Sequence, residues 1–426
     1  MSYSKEVNRY VFPLVATNLV QVLIGQISLH FAVDNSNAAL SGISVIQNFL
    51  FAFGGILGAF SLSFNIRGAK AFYNKEYQRF KNLLKSSLLI DIGIGLSFIL
   101  FCLGLSRPFL KVFYGFDGQL LELSTTYFKI MSPYILLTLL IFLFSNLLKI
   151  EKKTKPIFWI GTLSSVLDVL LNYYLVPLLG IRGAAISSIL SLLVIVLGYF
   201  IFVKSLVFQA LQEASTSKLE LIRFGIPLSI QEILESVLFI MAFDAFMGRQ
   251  GLRILSIYAV VSQLFAIVRT PAFMYAGSIA IFLPEARKKE DEKALIATIF
   301  RNSYAVIFIF ACLVTVFSNP FAHFLSDEVI DNVLPFTLYT VVVMGATPLY
   351  ESSKMLLQSN DDGQWVLKIT SIVNILSILI LLVLQLMGKQ TYQSLYGIYG
   401  LSLIVLSILF IKRNSEKRVS SRKMTM

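Results

Sequence analysis

Two carboxylates, Glu232 and Glu235, stand three residues apart inside a long apolar stretch, which puts them on one face if the stretch is helical. In a medium of low dielectric, two such carboxylates resist ionising together, so the pair would share a proton and act as an ion-linked acid. The plainer alternative has Glu232 reaching the aqueous interface and Glu235 bonded to a neighbouring helix. Arg269 lies in the next apolar stretch, directly before Thr270-Pro271, where a proline frees a carbonyl and bends a helix. It needs an anion, and three are open: a structural pair with Glu235 or Asp244, the same pair as a switch that breaks and re-forms, or an anionic ligand. Asp168 and Asn172 are four apart and share a face, either lining a cavity or tying two helices together. Asp91 is the other deep acid of the first half. Glu351 and Lys354, three apart, are expected to neutralise each other, and His30 and His323, near the ends of their stretches, are candidates for coupled protonation.

What must position these groups is a membrane-spanning scaffold. The chain of 426 residues is 56% hydrophobic with mean hydropathy +0.76, and only 14% is charged, against about 25% in a soluble domain. Apolar runs long enough for a hydrocarbon core about 30 Å thick recur along it. Lipid offers backbone amides no partners, so such runs must be helices. The fold class is therefore all-α, a membrane protein of about twelve transmembrane helices. The spans are read near 10–31, 42–64, 84–105, 128–148, 156–178 and 183–203, then 222–246, 254–283, 302–325, 333–357, 365–387 and 396–411. No small-residue cleavage pattern follows the first of them, so it is expected to stay in the mature protein.

Each charged side chain inside a span costs about 2.5 to 3.5 kcal/mol on insertion scales, so each needs a partner, water or a function. Cys102 and Cys312 both fall inside apolar runs and read as packing residues, not as a disulfide or metal site. No phosphate-binding glycine loop, metal-ligand spacing or nucleophile elbow occurs. The chain is expected not to be an enzyme, to need no cofactor, and to draw on an ion gradient of sodium or protons.

The net charge of +12 is a topology signal. Most of the 36 lysines and arginines fall on one side if the N-terminus is inside, as with Lys149, Lys152, Lys153 and Lys155, while the outer loop 32–41 has none. Nucleic-acid binding would need them on one folded surface with aromatics between. The expected placement is multi-pass in the plasma membrane, with both termini cytoplasmic and the basic tail disordered near anionic headgroups.

The pattern repeats. Phe12-Pro13-Leu14 opens one long apolar helix and Ile226-Pro227-Leu228 another, and each is followed by a helix holding a glutamine, Gln47 and Gln263. Two halves of even span number share one orientation, related by an axis along the membrane normal, with a cavity expected between them. The expected organisation is two pseudo-symmetric six-helix bundles: 1–208, a cytoplasmic linker at 209–220, 221–411, and the tail 412–426.

In that order and spacing, Pro13, the run Gly180-Ile181-Arg182-Gly183-Ala184-Ala185-Ile186, Pro227 with Glu235 eight residues later, and the turn Gln358-Ser359-Asn360-Asp361-Asp362-Gly363 resemble the multidrug and toxic compound extrusion (MATE) family, over nearly the whole chain. The resemblance implies an antiporter that exchanges a small, often cationic and amphipathic compound for sodium or protons by rocking its two bundles, and the chain is expected to be a monomer. It gives Glu235 the place of a common acid in the seventh helix. The chain departs from the pattern at Ser28 and Thr347, where relatives carry aspartates in spans one and ten. The same superfamily holds polysaccharide and lipid flippases, for which Arg269 would be a phosphate contact. A receptor-like protein that moves nothing would leave the repeat without a reason.

Overall fold

The computed structural model describes residues 3–33, 37–288, 291–325 and 332–425, and it is helical throughout. In chain order the helices are α1 (Tyr3–Val33), α2 (Asn37–Tyr73), α3 (Tyr77–Tyr114), α4 (Gly118–Ile130), α5 (Tyr134–Ile150), α6 (Lys155–Leu179), α7 (Ile181–Leu211), α8 (Lys218–Glu232), α9 (Ile240–Gly248), α10 (Leu252–Lys288), α11 (Glu292–Val316), α12 (Ser318–Leu325), α13 (Leu334–Val343), α14 (Thr347–Ser359), α15 (Gly363–Leu386) and α16 (Tyr392–Thr425). Each stretch read as a span is carried by one of these or by a short succession of them. Among the described residues, nine helices are long and apolar enough to cross a membrane. Large apolar side chains such as Leu100, Phe113, Trp159, Ile201, Phe308 and Leu386 stand exposed on their outer faces, the surface that lipid requires and water penalises.

Two spans are broken. The seventh passes from α8 through a π-helical segment, Ile233–Phe239, into α9. The tenth passes from α13 through a 3₁₀ turn, Met344–Ala346, into α14. Pro348 has no N–H for the carbonyl four residues back, and Gly345 is a poor helix former; Thr347 Oγ1 donates instead to Met344 O at 2.7 Å. Pro271, by contrast, is accommodated inside the continuous α10.

By packing, the chain forms two compact units, Phe12–Ser229 and Met1–Val11 with Ile230–Met426. In the first, Tyr127, Phe128, Leu110, Cys102 and Leu139 form the core, and a web of phenylalanine rings (Phe49, Phe98, Phe109, Phe128) extends it. The start of α8 belongs here: Arg79 donates to Glu220 at 2.9 Å, and Ser229 Oγ to Ile56 O at 3.3 Å. In the second unit the core is built on Val261, Leu357, Leu395 and Phe410. The first turns of α1 belong to it, since Tyr275 OH donates to Asn8 at 2.7 Å and Asn302 Nδ2 to Asn8 and Ser4 at 3.0 Å. The chain passes between the units inside α1 and α8, and the segment 209–220, expected to be the linker, lies within the first unit.

The glycine run before span six has a local reason. Gly180 alone joins α6 to α7, at φ +56° and ψ −133°, which favours glycine. Gly183 then passes so close that a Cβ would lie 2.2 Å from Leu175 O.

The tail is helical to Thr425, where disorder was expected. Arg413 Nε and Lys417 Nζ lie 2.9 and 3.2 Å from Asp362 Oδ2, and Arg413 stacks over Trp365. Burial pushes the Asp362 carboxyl up, but hydrogen bonds and charge from Arg413 and Lys417 outweigh it and hold the group below the ordinary carboxylate range. A depressed folded value means that the latch contributes above the unfolded value and is lost as pH falls through the folded one. For partly exposed pairs that contribution is roughly 1 kcal/mol. Acidification should accordingly speed amide exchange over 412–425 beyond the intrinsic pH effect in the wild type, and Asp362→Asn should exchange fast already at neutral pH.

Candidate functional site

The two broken spans bring a linked set of buried polar side chains together in the second unit. Glu235 lies in the π-helical segment, a register shift of a kind that recurs at functional sites. Its Oε1 accepts from Gln231 Nε2 at 2.6 Å and from Tyr350 OH at 2.8 Å, and Lys354 Nζ stands 3.1 Å from Oε2. The same ammonium lies 3.1 Å from Glu351 Oε2 and 4.6 Å from the centroid of the Tyr350 ring. Gln358 Nε2 donates to Gln231 Oε1 at 3.0 Å and closes the network. Tyr350, Lys354 and Gln358 recur every four residues on one face of α14, so a single helix face meets the acid. Side-chain exposure is 16% for Glu235, 13% for Lys354 and 10% for Glu351. Two carboxylates and one ammonium in so small a volume leave an excess of one negative charge when all are ionised.

From α16, Tyr399 lies within electrostatic reach of Arg269, Glu235, Glu351 and Lys354. Its ring packs 5.0 Å from Phe239 and 5.5 Å from Phe243. The rings continue through Tyr396, 5.2 Å from Phe243, to Tyr392 and Phe336 at 4.9 Å each. Beside Phe243 and Tyr396, at 6.0 and 6.3 Å, Tyr258 donates its OH to the exposed Asp244. Phe239, Phe243, Tyr392 and Tyr396 are buried, so the ring series forms part of the core of the second unit, with Asp244 exposed beside it.

The structure alters several pairings. Among the described residues Arg269 makes no ion pair; it is half-buried, with its guanidinium 5.6 Å from the Phe273 ring centroid. Neither expected partner takes it, because Lys354 holds Glu235 and Tyr258 holds Asp244. The carboxylate drawn to Glu235 is Glu351, bridged by Lys354, and not Glu232. Glu232 is half-buried nearby and acts on Glu351 and Lys354 through space. The neutralisation expected of Glu351 and Lys354 is present, with Glu235 as a further member.

In the first unit Asp91 is 1% exposed. Ser87 Oγ donates to its Oδ2 at 3.5 Å, and its Oδ1 has no hydrogen-bond partner among the described residues. Asp168 ties α6 to α7, accepting from Ser191 Oγ at 3.2 Å, while Asn172 Nδ2 donates to the Asp168 backbone carbonyl at 2.9 Å. An apolar groove of about 520 Å³ between α2 and α3, lined by Phe53, Leu89, Ile94 and Phe98, holds no ionisable group. The side chains of Ser28, His30 and His323 lie outside the described residues.

Sequence reasoning overlooked Gln231, Tyr350, Gln358 and Tyr399. The four-residue rhythm of Tyr350, Lys354 and Gln358 was the available signal. It needed α8 as a facing partner to acquire meaning.

The described residues are all helical, with two interrupted spans that carry charged side chains into the interior of the second unit, the fold of a polytopic membrane protein. The MatE family model matches residues 13–174. The probable multidrug resistance protein NorM of Thermotoga maritima is 25% identical over 245 residues, 54% of this chain and 52% of that protein, so the match spans about half of that relative's length. The probable multidrug resistance protein YoeA of Bacillus subtilis is 23% identical over 369 residues, 80% of this chain and 78% of that protein. A crystal structure of MATE in complex with MaL6 shares the fold with a TM-score of 0.86 at 15% identity, over 99% of this chain and 98% of that one. The chain is thus similar in sequence to probable multidrug resistance proteins and shares its fold with multidrug and toxic compound extrusion (MATE) structures.

Proposed function

We propose that this protein is a secondary active exporter of small, cationic or amphipathic compounds, exchanging them for sodium or protons by rocking-bundle alternating access in the plasma membrane. It acts as a monomer with both termini cytoplasmic. Glu235 is the ion-linked acid. The observation that carries this reading is the Glu235, Lys354 and Glu351 network held between two interrupted spans, the arrangement in which transporters place coupling sites. The rings around Tyr399 and the exposed carboxylate of Asp244 agree with a cationic substrate. Multidrug resistance, in the names of both relatives, agrees with export.

The test is uptake of a fluorescent organic cation into inverted vesicles of the purified protein, with sodium and proton gradients imposed separately. Uptake driven by either gradient is the expected result; none by folded protein would overturn it. One observation favours a second reading: Arg269, a membrane-embedded cation with no ion pair among the described residues, suits a phosphate. A flippase for a lipid-linked oligosaccharide or another anionic lipid would move a fluorescent anionic lipid between leaflets and lose that activity in Arg269→Gln.

A further inference from the structure

The ammonium of Lys354 stands 3.1 Å from Oε2 of Glu235 and 3.1 Å from Oε2 of Glu351. That is the place a bridging metal cation would take between two carboxylates. We infer that Lys354 is a resident counter-ion, so that the site exchanges a proton and excludes sodium. The inference rests on the reading of Glu235 as the ion-linked acid and names its ion.

Sodium is a hard cation that requires oxygen ligands on several sides. With Lys354 in place, the inner oxygens of both carboxylates are already engaged, and a sodium ion bound to them would sit within a few ångströms of the ammonium. Two like charges about 4 Å apart repel by about 4 kcal/mol even at an effective dielectric constant of 20. A proton needs no such room. Taken from the aqueous phase onto one carboxylate oxygen, it forms a single O–H bond, cancels the excess negative charge and frees one arm of the ammonium.

The surroundings keep the ammonium at its post when one arm lets go. The Tyr350 ring lies beneath it at 4.6 Å, a cation–π contact that protonation of a carboxylate leaves intact. Glu232, from the end of α8, adds negative charge within reach of Lys354. The neutral groups of the network are Gln231 on α8 and Gln358 on α14. Tyr399 faces it from α16, and Arg269 of α10 acts on the same tyrosine. Arg269 stays over Phe273 and bonds to neither acid, so it does not replace Lys354.

The test uses purified full-length protein and measures radioactive-sodium binding, together with thermal midpoints in sodium chloride against choline chloride. The wild type should bind no sodium above background and show equal midpoints in the two salts. Lys354→Gln and Lys354→Met remove the charge while keeping the stem, and should gain sodium binding by about tenfold or more. The double variant Glu235→Gln/Lys354→Gln should lose it again. A sodium-dependent midpoint in the wild type, or no gain in whichever lysine variant folds, would overturn the inference. Because binding is read without transport, the two readings fail separately. Sodium gained by Lys354→Gln, with uptake unchanged in Glu235→Gln, would retain the counter-ion and remove Glu235 from coupling.

Discussion

Glu235→Gln should fold, reach the membrane and lose ion-driven uptake by about tenfold to a hundredfold. The amide nearly preserves the volume of the carboxylate, and its oxygen still accepts from Tyr350 OH, now 2.8 Å from Oε1. What disappears is the charge facing Lys354 and the ability to take a proton. The ammonium keeps Glu351 at 3.1 Å and the Tyr350 ring, so no buried charge is stranded. The stability cost is that of one charged hydrogen bond, about 1.5 to 3 kcal/mol, and is visible as a lowered midpoint without unfolding at room temperature. Initial uptake rates in inverted vesicles, normalised to folded protein, measure the effect. Gradient-driven uptake at the wild-type rate would reduce Glu235 to a structural role. Glu351→Gln is the informative companion, because it leaves Lys354 on Glu235 alone and should weaken the gradient response less.

The scaffold was legible in the sequence because lipid enforces it. The span read at 156–178 lies within Lys155–Leu179, and that read at 365–387 nearly coincides with Gly363–Leu386. A bilayer sets the length of an apolar run, and the backbone has no alternative to a helix within it. The interruptions were less legible. Gly345 and Pro348 mark the break in span ten in retrospect, but Ile233–Phe239 contains neither glycine nor proline, so the register shift there had no local signal. Glu235 stood out as a charge in an apolar run, yet its partner did not. A single sequence supplies the i, i+3 and i, i+4 relations that join Glu351 to Lys354 and Gln231 to Glu235, but no distance between helices. Arg269, close along the chain, was therefore a candidate for a place that Lys354, 119 residues away from Glu235, occupies. The tail reads as a disordered basic segment until Asp362, with its two cationic partners, is seen at its base.

Outside the network, a large structural effect should come from Gly400→Ala. Glycine inside a helix normally costs about 0.5 to 1 kcal/mol against alanine, so the substitution would ordinarily stabilise α16. Here a Cβ would lie 2.4 Å from Val343 Cγ1 and 2.5 Å from the Val343 carbonyl oxygen. The side chain can rotate, but the carbonyl belongs to the last residue of α13, immediately before the 3₁₀ turn, and cannot move without the turn. Either α16 withdraws or the break in span ten shifts. Tyr399, the residue before Gly400, would be carried with α16 away from Phe239 and Phe243. Overpacking of this kind costs about 1 to 3 kcal/mol, which should exceed the helix-propensity gain and lower the thermal midpoint. Gly93 on α3 is the matched control, since nothing lies within 4 Å of its Cβ position; Gly93→Ala should leave the midpoint unchanged or raise it. If the two substitutions behave alike in the same detergent, the close contact of α16 with the interrupted span does not constrain the fold. If only Gly400→Ala falls and uptake falls further than stability accounts for, the position of the 3₁₀ turn sets how α14 presents Lys354 to Glu235.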